Sequence, residues 1–218
     1  MKNSVKVEAD VRAELAWDPC VDDREIRVAS TDGVVTLTGS VPSFADKWGA
    51  VRAAERVTGV QAVANDLDVA VPVAYRRPDT DIAQAVVHAL EWDVQVPDAK
   101  IKASVTDGWI RLDGDVEWRF QREAAARAVR NLAGVRGVTN NITVMARRAA
   151  SHDVSNGIRE ALERRADRVA RRIDVETIDG VVTLKGSVPS FGDRRAAEGA
   201  AWSAPGVTHV RDELAVNA

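Results

Sequence analysis

The sequence predicts an α+β protein made of three tandem copies of one small unit. Each unit reads as helix, strand, strand, helix, strand, giving a three-stranded mixed sheet with two helices on one face. Three observations lead there. The stretch DGVVTLTGSVPSF at residues 32–44 returns as DGVVTLKGSVPSF at 179–191, differing only at Thr38 against Lys185. A shift of 75 residues then lays Asp32-Gly33 on Asp107-Gly108, Leu37 on Leu112, Gly39 on Gly114 and Val41 on Val116; a further 72 reaches Asp179-Gly180, Leu184, Gly186 and Val188. Finally, the apolar period inside each copy switches from that of a helix to that of a strand. The repeat is longer than the ~20–50 residues of a solenoid, so each copy is expected to be a domain, at 1–72, 78–146 and 151–218. Segments 73–77 and 147–150 read as linkers.

The first element of each copy carries an i, i+4, i+8 stripe: Val7, Val11, Leu15; Ile82, Val86, Leu90; Val154, Ile158, Leu162. That spacing predicts a helix with one buried face. Asp79 or Thr80, and Ser151 or Asp153, are the expected N-caps of the second and third copies, because their side-chain oxygens can accept from first-turn amides. A short strand follows as EIRVAST, KIKASVT or RIDVETI, and each ends in Asp-Gly. A two-residue Asp-Gly connection predicts a type I′ hairpin. Asp32, Gly33, Asp107, Gly108, Asp179 and Gly180 are therefore turn residues. In the second strand Val35 and Leu37, Ile110 and Leu112, and Val182 and Leu184 alternate with polar positions, as in a sheet with one covered face. Gly39, Gly114 and Gly186 near its end predict a bulge or a close backbone approach.

The next segment is rich in Ala, Arg and Glu and predicts a second helix, from about Ser43 to Thr58 in the first copy. Ala50, Ala54 and Val57, matched by Ala125, Val129 and Leu132, form a small-residue stripe for packing on the sheet. Gly59, Gly134 and Gly206 are placed at its C-terminal cap. VQAVANDLDV, VRGVTNNITV and VTHVRDELAV complete each copy as a last strand.

Composition narrows the function. Thirty Lys and Arg against 33 Asp and Glu give a formal charge of −3, so there is no global positive field for a nucleic-acid backbone. No apolar run approaches the ~20 residues that span a bilayer. Cys20 is the only cysteine, which rules out an internal disulfide, and is expected to be a buried or half-buried thiol. His88, His152 and His209 occupy non-equivalent positions without metal-site spacing, and no phosphate-cradling glycine motif or nucleophile elbow is present. The repeated carboxylates are explained by turns. Neither catalysis nor a cofactor is expected.

With this element order, a D-G-x-V-x-L-x-G-x-V core and a later G-V-x-x-V-x-N/D-x-L strand, each copy resembles the BON domain, a family named for the OsmY and nodulation proteins of bacteria. The resemblance covers nearly all of the chain. The middle copy departs from it in DGWIRLDGDVEWRF, which puts Trp109 where the others have Val34 and Val181 and replaces the Gly-Ser-Val-Pro-Ser loop. The resemblance implies a non-catalytic module of exported or envelope-associated stress proteins, with phospholipid as the suggested ligand; OsmY-like proteins with repeated units are typically periplasmic and tied to osmotic stress. The opening MKNSVKVEADVRAELAWDP has no apolar h-region, so the chain as it stands is expected in the cytoplasm, or in the periplasm if an export signal was trimmed.

Two binding classes follow. Arg76, Arg77, Arg147, Arg148, Arg164, Arg165 and Arg168 are candidates for an anionic phospholipid or envelope surface, each cation adding about 1 kcal/mol near such a surface. Trp109 and Trp118 are candidates for an interdomain contact or for holding client proteins. Trp17 and Trp92, at equivalent places after the first helix, are expected to pack. Sequence leaves the oligomeric state open.

Overall fold

A computed structural model describes residues 4–145, 158, 173–204 and 206–216. The first copy runs α1 (Ser4–Trp17), β1 (Ile26–Thr31), β2 (Val34–Val41), α2 (Phe44–Arg56) and β3 (Ala62–Val69). The second runs α3 (Asp79–Trp92), β4 (Ile101–Thr106), β5 (Trp109–Val116), α4 (Arg119–Arg130), β6 (Gly137–Asn140) and β7 (Thr143–Val144). In the third, β8 (Ile173–Ile178), β9 (Val181–Val188), α5 (Phe191–Trp202) and β10 (His209–Val216) are described. Its expected first helix falls outside the described residues apart from Ile158, which is helical and fully buried. The same is true of the expected caps Ser151 and Asp153.

Packing divides the chain into two compact units: Met1–Val116 with Phe120–Thr143, and Glu117–Arg119 with Val144–Ala218. The three sheets share one plan. The first two strands form an antiparallel hairpin, and the last pairs in parallel with the second after crossing over through the helix. All three are therefore mixed sheets. One departure lies in the second copy. The expected strand through VRGVTNNITV is interrupted between β6 and β7, both of which pair with β5, and here the Thr143 hydroxyl donates to the Gly114 carbonyl at 3.2 Å.

The helical stripes are buried as their spacing requires. Val7, Val11 and Leu15 of α1 and Ala50, Ala53 and Ala54 of α2 cover Val28, Val35, Leu37, Val41 and Leu67 of the first sheet. Ile82, Val86 and Leu90 of α3 and Ala124, Ala125 and Val129 of α4 do the same over Ile110, Leu112 and Val116. The third core sets Ile158, Ala197, Ala200 and Ala201 with Val175, Val182 and Leu184. Alanines let the second helix lie close to the sheet, while the large side chains come from the first helix and the strands. A fully buried leucine such as Leu37 contributes about 1.5–3 kcal/mol.

Four expectations need adjusting. The stripe of the second helix stops a turn early: α2 ends at Arg56, Val57 is its C-cap and Gly59 lies in the turn beyond, with φ +98°. Val57 and Leu132 are only half-buried. The N-cap of α3 is Pro78, whose fixed φ suits entry into the helix, and Asp79 is its first helical residue. Cys20 is exposed, because it follows α1 in a turn where its amide donates to the Asp18 carboxylate and the neighbouring Val21 takes the buried position.

The Asp-Gly turns have the predicted left-handed geometry, with φ +49°, +51° and +49° at Asp32, Asp107 and Asp179, and φ near +80° at their glycines. At Gly39 and Gly114 the reason for glycine is a close approach. The hairpin register runs unbroken from Ile26↔Gly39 to Thr31↔Val34, so no bulge is present. A Cβ on Gly39 would stand 2.0 Å from the Glu25 carbonyl oxygen, and one on Gly114 2.2 Å from that of Lys100.

The Thr177 hydroxyl is buried with no partner, as is that of the equivalent Ser30, while the second copy has Val105 there. Thr177→Val keeps the shape and removes an unsatisfied polar atom. It is expected to leave stability unchanged or raise it by about 1 kcal/mol, read as the shift in the urea midpoint; a loss of that size would show that the hydroxyl has a bonding role.

Candidate functional site

Residues 72–78 connect the first two copies within the first unit and have a defined conformation. Pro72 opens a single 3₁₀ turn over Val73–Tyr75, closed by the Tyr75 amide donating to the Pro72 carbonyl at 2.9 Å. Pro78 then starts α3 and keeps Arg77 extended. The arginines hold this path: Arg76 Nε donates to the Val71 carbonyl at 3.1 Å, and Arg77 Nη1 donates to the carbonyls of Ala74 and Arg76 at 3.1 and 2.8 Å. Only part of each guanidinium is used in this way. Val73 and Tyr75 stand 78% and 60% exposed on the same short turn.

Beside the linker is a cleft of about 570 Å³ whose rim includes Val71, Arg76, Arg77, Asp79, Asp107 and Arg136. Asp79 is committed elsewhere. Its carboxylate accepts from the amides of Asp107 and Gly108 at 2.8 and 2.9 Å, tying the start of α3 to the hairpin turn. The Arg136 amide donates to the Gly108 carbonyl, which brings a third exposed guanidinium to the cleft. Sequence reasoning missed Arg136, since it stands alone in the chain and reaches Arg76 and Arg77 only through the turn.

Arg147, Arg148, Arg164, Arg165 and Arg168 lie outside the described residues, as does His152. Trp109 is half-exposed, opposite the buried Ile110 and Leu112; its ring lies over its register partner Gly137, where a Cβ would come within 2.6 Å, and its Nε1 donates to Thr139 Oγ1 at 2.8 Å. The other copies have Ala62 and His209 in place of Gly137, so the middle copy changed both members of a contact. Trp118 is 40% exposed and belongs to the second unit. It stands where Ser43 and Ser190 cap their helices by accepting from the amides of Asp46 and Asp193. Trp17 and Trp92 do not pack as expected: they are 84% and 88% exposed, because each ends its helix one step off the buried stripe.

A repeated polar contact emerges that sequence reading passed over. Lys47, Arg122 and Arg194 occupy equivalent positions on the second helix, and each reaches the last strand. Lys47 Nζ donates to the Leu67 carbonyl at 2.5 Å, Arg122 Nη2 to the Asn140 carbonyl at 3.3 Å, and Arg194 Nε to the Asp212 carboxylate at 2.6 Å. Asn65, Asn140 and Asp212 each accept from the amide two residues on. Aligning the copies at shifts of 75 and 72 would have revealed this column of cations. Its role is to fix helix against strand.

Around α1 the surface is ionic. Arg56 of α2 donates to Glu14 at 2.8 Å and to Asp18 at 2.9 Å, and that hydrogen bond, with one from the Cys20 amide, holds the Asp18 carboxyl below its ordinary value. A depressed carboxyl contributes stability above about pH 4 that is lost as pH falls through the lowered folded value. Arg56→Gln is expected to cost about 0.5–1 kcal/mol at pH 7, with a smaller deficit at pH 2–3. Urea midpoints at the two pH values check this; an equal deficit at both would mean that packing carries the effect.

Among the described residues, no group of three or more His, Cys, Asp or Glu is placed to hold a metal, and His88 and His209 are exposed. No helix among them is long and apolar enough to cross a membrane.

Comparison with known proteins adds to this geometry. The family model of the BON domain matches residues 3–71, 78–146 and 152–218. Osmotically-inducible protein Y of Escherichia coli (strain K12) is 31% identical over 140 residues, 62% of this chain and 70% of that protein. Among solved structures, CdsD, a structural protein of the type III secretion system of Chlamydia trachomatis, aligns over 97% of this chain and 92% of its own at 14% identity, with a TM-score of 0.28. A likeness of that size carries no argument.

Proposed function

The chain belongs to the BON domain family, present as three tandem copies, and from that premise we propose that it is a non-catalytic, stress-associated protein that attaches to anionic phospholipid surfaces of the envelope through its first linker. One observation carries this reading: exposed Val73 and Tyr75 lie on a single turn that is followed directly by the exposed Arg76 and Arg77. A tyrosine has an apolar ring for the acyl boundary and a hydroxyl for the headgroup layer. Arginines beside it add about 1 kcal/mol each against an anionic surface, and Arg136 enlarges the cationic patch. The chain's net charge is negative, so the attraction is local and short-ranged. The similarity to an osmotically inducible protein supports the stress association.

The test is co-flotation of the full chain with anionic and with neutral vesicles across a salt series. Binding to anionic vesicles alone, fading as salt rises, is the expected result; no flotation at low salt would overturn the reading. A second reading, the holding of client proteins, draws on the exposure of Trp17 and Trp92 at equivalent helix ends. Apolar client binding would persist at high salt.

A further inference from the structure

A second basic cluster lies within the first unit, away from the linker. Trp48 of α2 has the guanidinium carbon of Arg52, on its own helix, 4.7 Å from the ring centroid. Arg130, at the end of α4, places its own 3.7 Å from the same centroid. Arg127, one turn before Arg130, donates to the neutral Gln95 side chain at 3.0 Å. Among the described residues, Arg52 and Arg130 form no ion pair with an acid. We propose that Arg52 and Arg130, which share the Trp48 ring where α2 meets α4, together with Arg127 one turn before Arg130, bind a phosphate group.

Burial, together with repulsion from Arg52 and Arg127, holds the Arg130 guanidinium below its ordinary value, and no carboxylate opposes either effect. Two like charges beside a half-buried guanidinium are costly without a counter-charge, and the tryptophan ring supplies only a quadrupole. A carboxylate offers one negative charge; a phosphate monoester or free phosphate carries about 1.5–2 at pH 7 on oxygens matched to guanidinium forks. Neither Trp48 nor Arg130 has a counterpart in the other copies: Glu123 and Arg195 replace the first, Glu55 and Trp202 the second. The site therefore belongs to the pairing of copies one and two, and it does not depend on the linker reading.

The experiment is calorimetric titration of the full chain with inorganic phosphate at low ionic strength, using wild type, Arg130→Gln, Arg52→Gln and the linker variant Arg76→Gln/Arg77→Gln. In the linker-variant background, which removes any contribution from Arg76 and Arg77, phosphate binding is expected to be retained and to weaken at least tenfold when Arg130→Gln or Arg52→Gln is added. Since Arg130 is half-buried, the exposed Arg52 decides the matter if Arg130→Gln does not fold. No binding by wild type, or equal binding by both cluster variants, would overturn the proposal. The source of the phosphate is read in a second arm with phosphatidic acid vesicles in the linker-variant background: flotation that Arg130→Gln or Arg52→Gln removes identifies a lipid headgroup, and phosphate binding without flotation identifies a soluble ligand.

Discussion

Gly39→Ala is expected to destabilise the first repeat by about 3 kcal/mol or more. Two costs combine. Gly39 has φ +117°, a conformation that side chains other than glycine's rarely adopt, and its Cβ would stand 2.0 Å from the Glu25 carbonyl oxygen. That oxygen belongs to the backbone entering β1, so relief requires moving the strand that pairs with β2. Gly114→Ala should behave similarly, since its Cβ would meet the Lys100 carbonyl at 2.2 Å. Gly199→Ala is the control: it sits inside α5 with nothing within 4 Å of the new methyl, and is expected to gain about 0.5–1 kcal/mol. Urea unfolding followed by tryptophan emission separates the two. A Gly39→Ala midpoint at or above wild type would mean that the hairpin entrance yields easily.

In the vesicle assay, Arg76→Gln/Arg77→Gln is expected to weaken binding to anionic vesicles about 30-fold at low salt. Two cations at about 1 kcal/mol each give roughly 2 kcal/mol, and every 1.4 kcal/mol is tenfold. Part of the loss will come from the linker path, because both side chains also hold backbone carbonyls. Tyr75→Ser separates the contributions. It leaves those donors in place and removes the exposed ring, so its effect should persist at high salt while that of the arginines fades. Arg111→Gln serves as the control, an exposed arginine on β5 paired with Asp113 at 2.9 Å. Equal loss in that control would make the effect one of net charge, and unchanged binding by the linker variant would remove the linker from the interaction.

Much of the fold could be read before any geometry, for reasons that specific residues illustrate. Val7, Val11 and Leu15 are separated by helical turns, and Val35 and Leu37 by one pleat, so burial follows from local period. Asp-Gly determines its turn because the positive φ values are a property of those residues. Errors arose where burial depends on neighbours. Trp17 and Trp92 were expected to pack because they recur and are large, yet they lie off the buried stripe. Cys20 was expected inside because of its residue type, yet the turn gives that place to Val21. Asp79 or Thr80 was expected to cap the helix; Pro78 takes that place, and the Asp79 carboxylate serves the amides of a hairpin turn 28 residues away.

The candidate sites were legible only in part. Arg76 and Arg77 are adjacent and visible as a basic pair, but Arg136 reaches them through the contact between hairpin turn and last strand. Arg52 and Arg130 share Trp48 although they are far apart in the chain, and nothing in the local sequence around either marks the pair.

The sequence by itself determined the repeat, the order of elements, the inward faces and the turns, because these depend on spacing and on backbone preferences local to each residue. Only the tertiary structure decided which charges stand together, which tryptophans face solvent and which glycines lie beneath a carbonyl. Those outcomes depend on distances between segments that share no sequence pattern, and they are settled when the helices come down on the sheets.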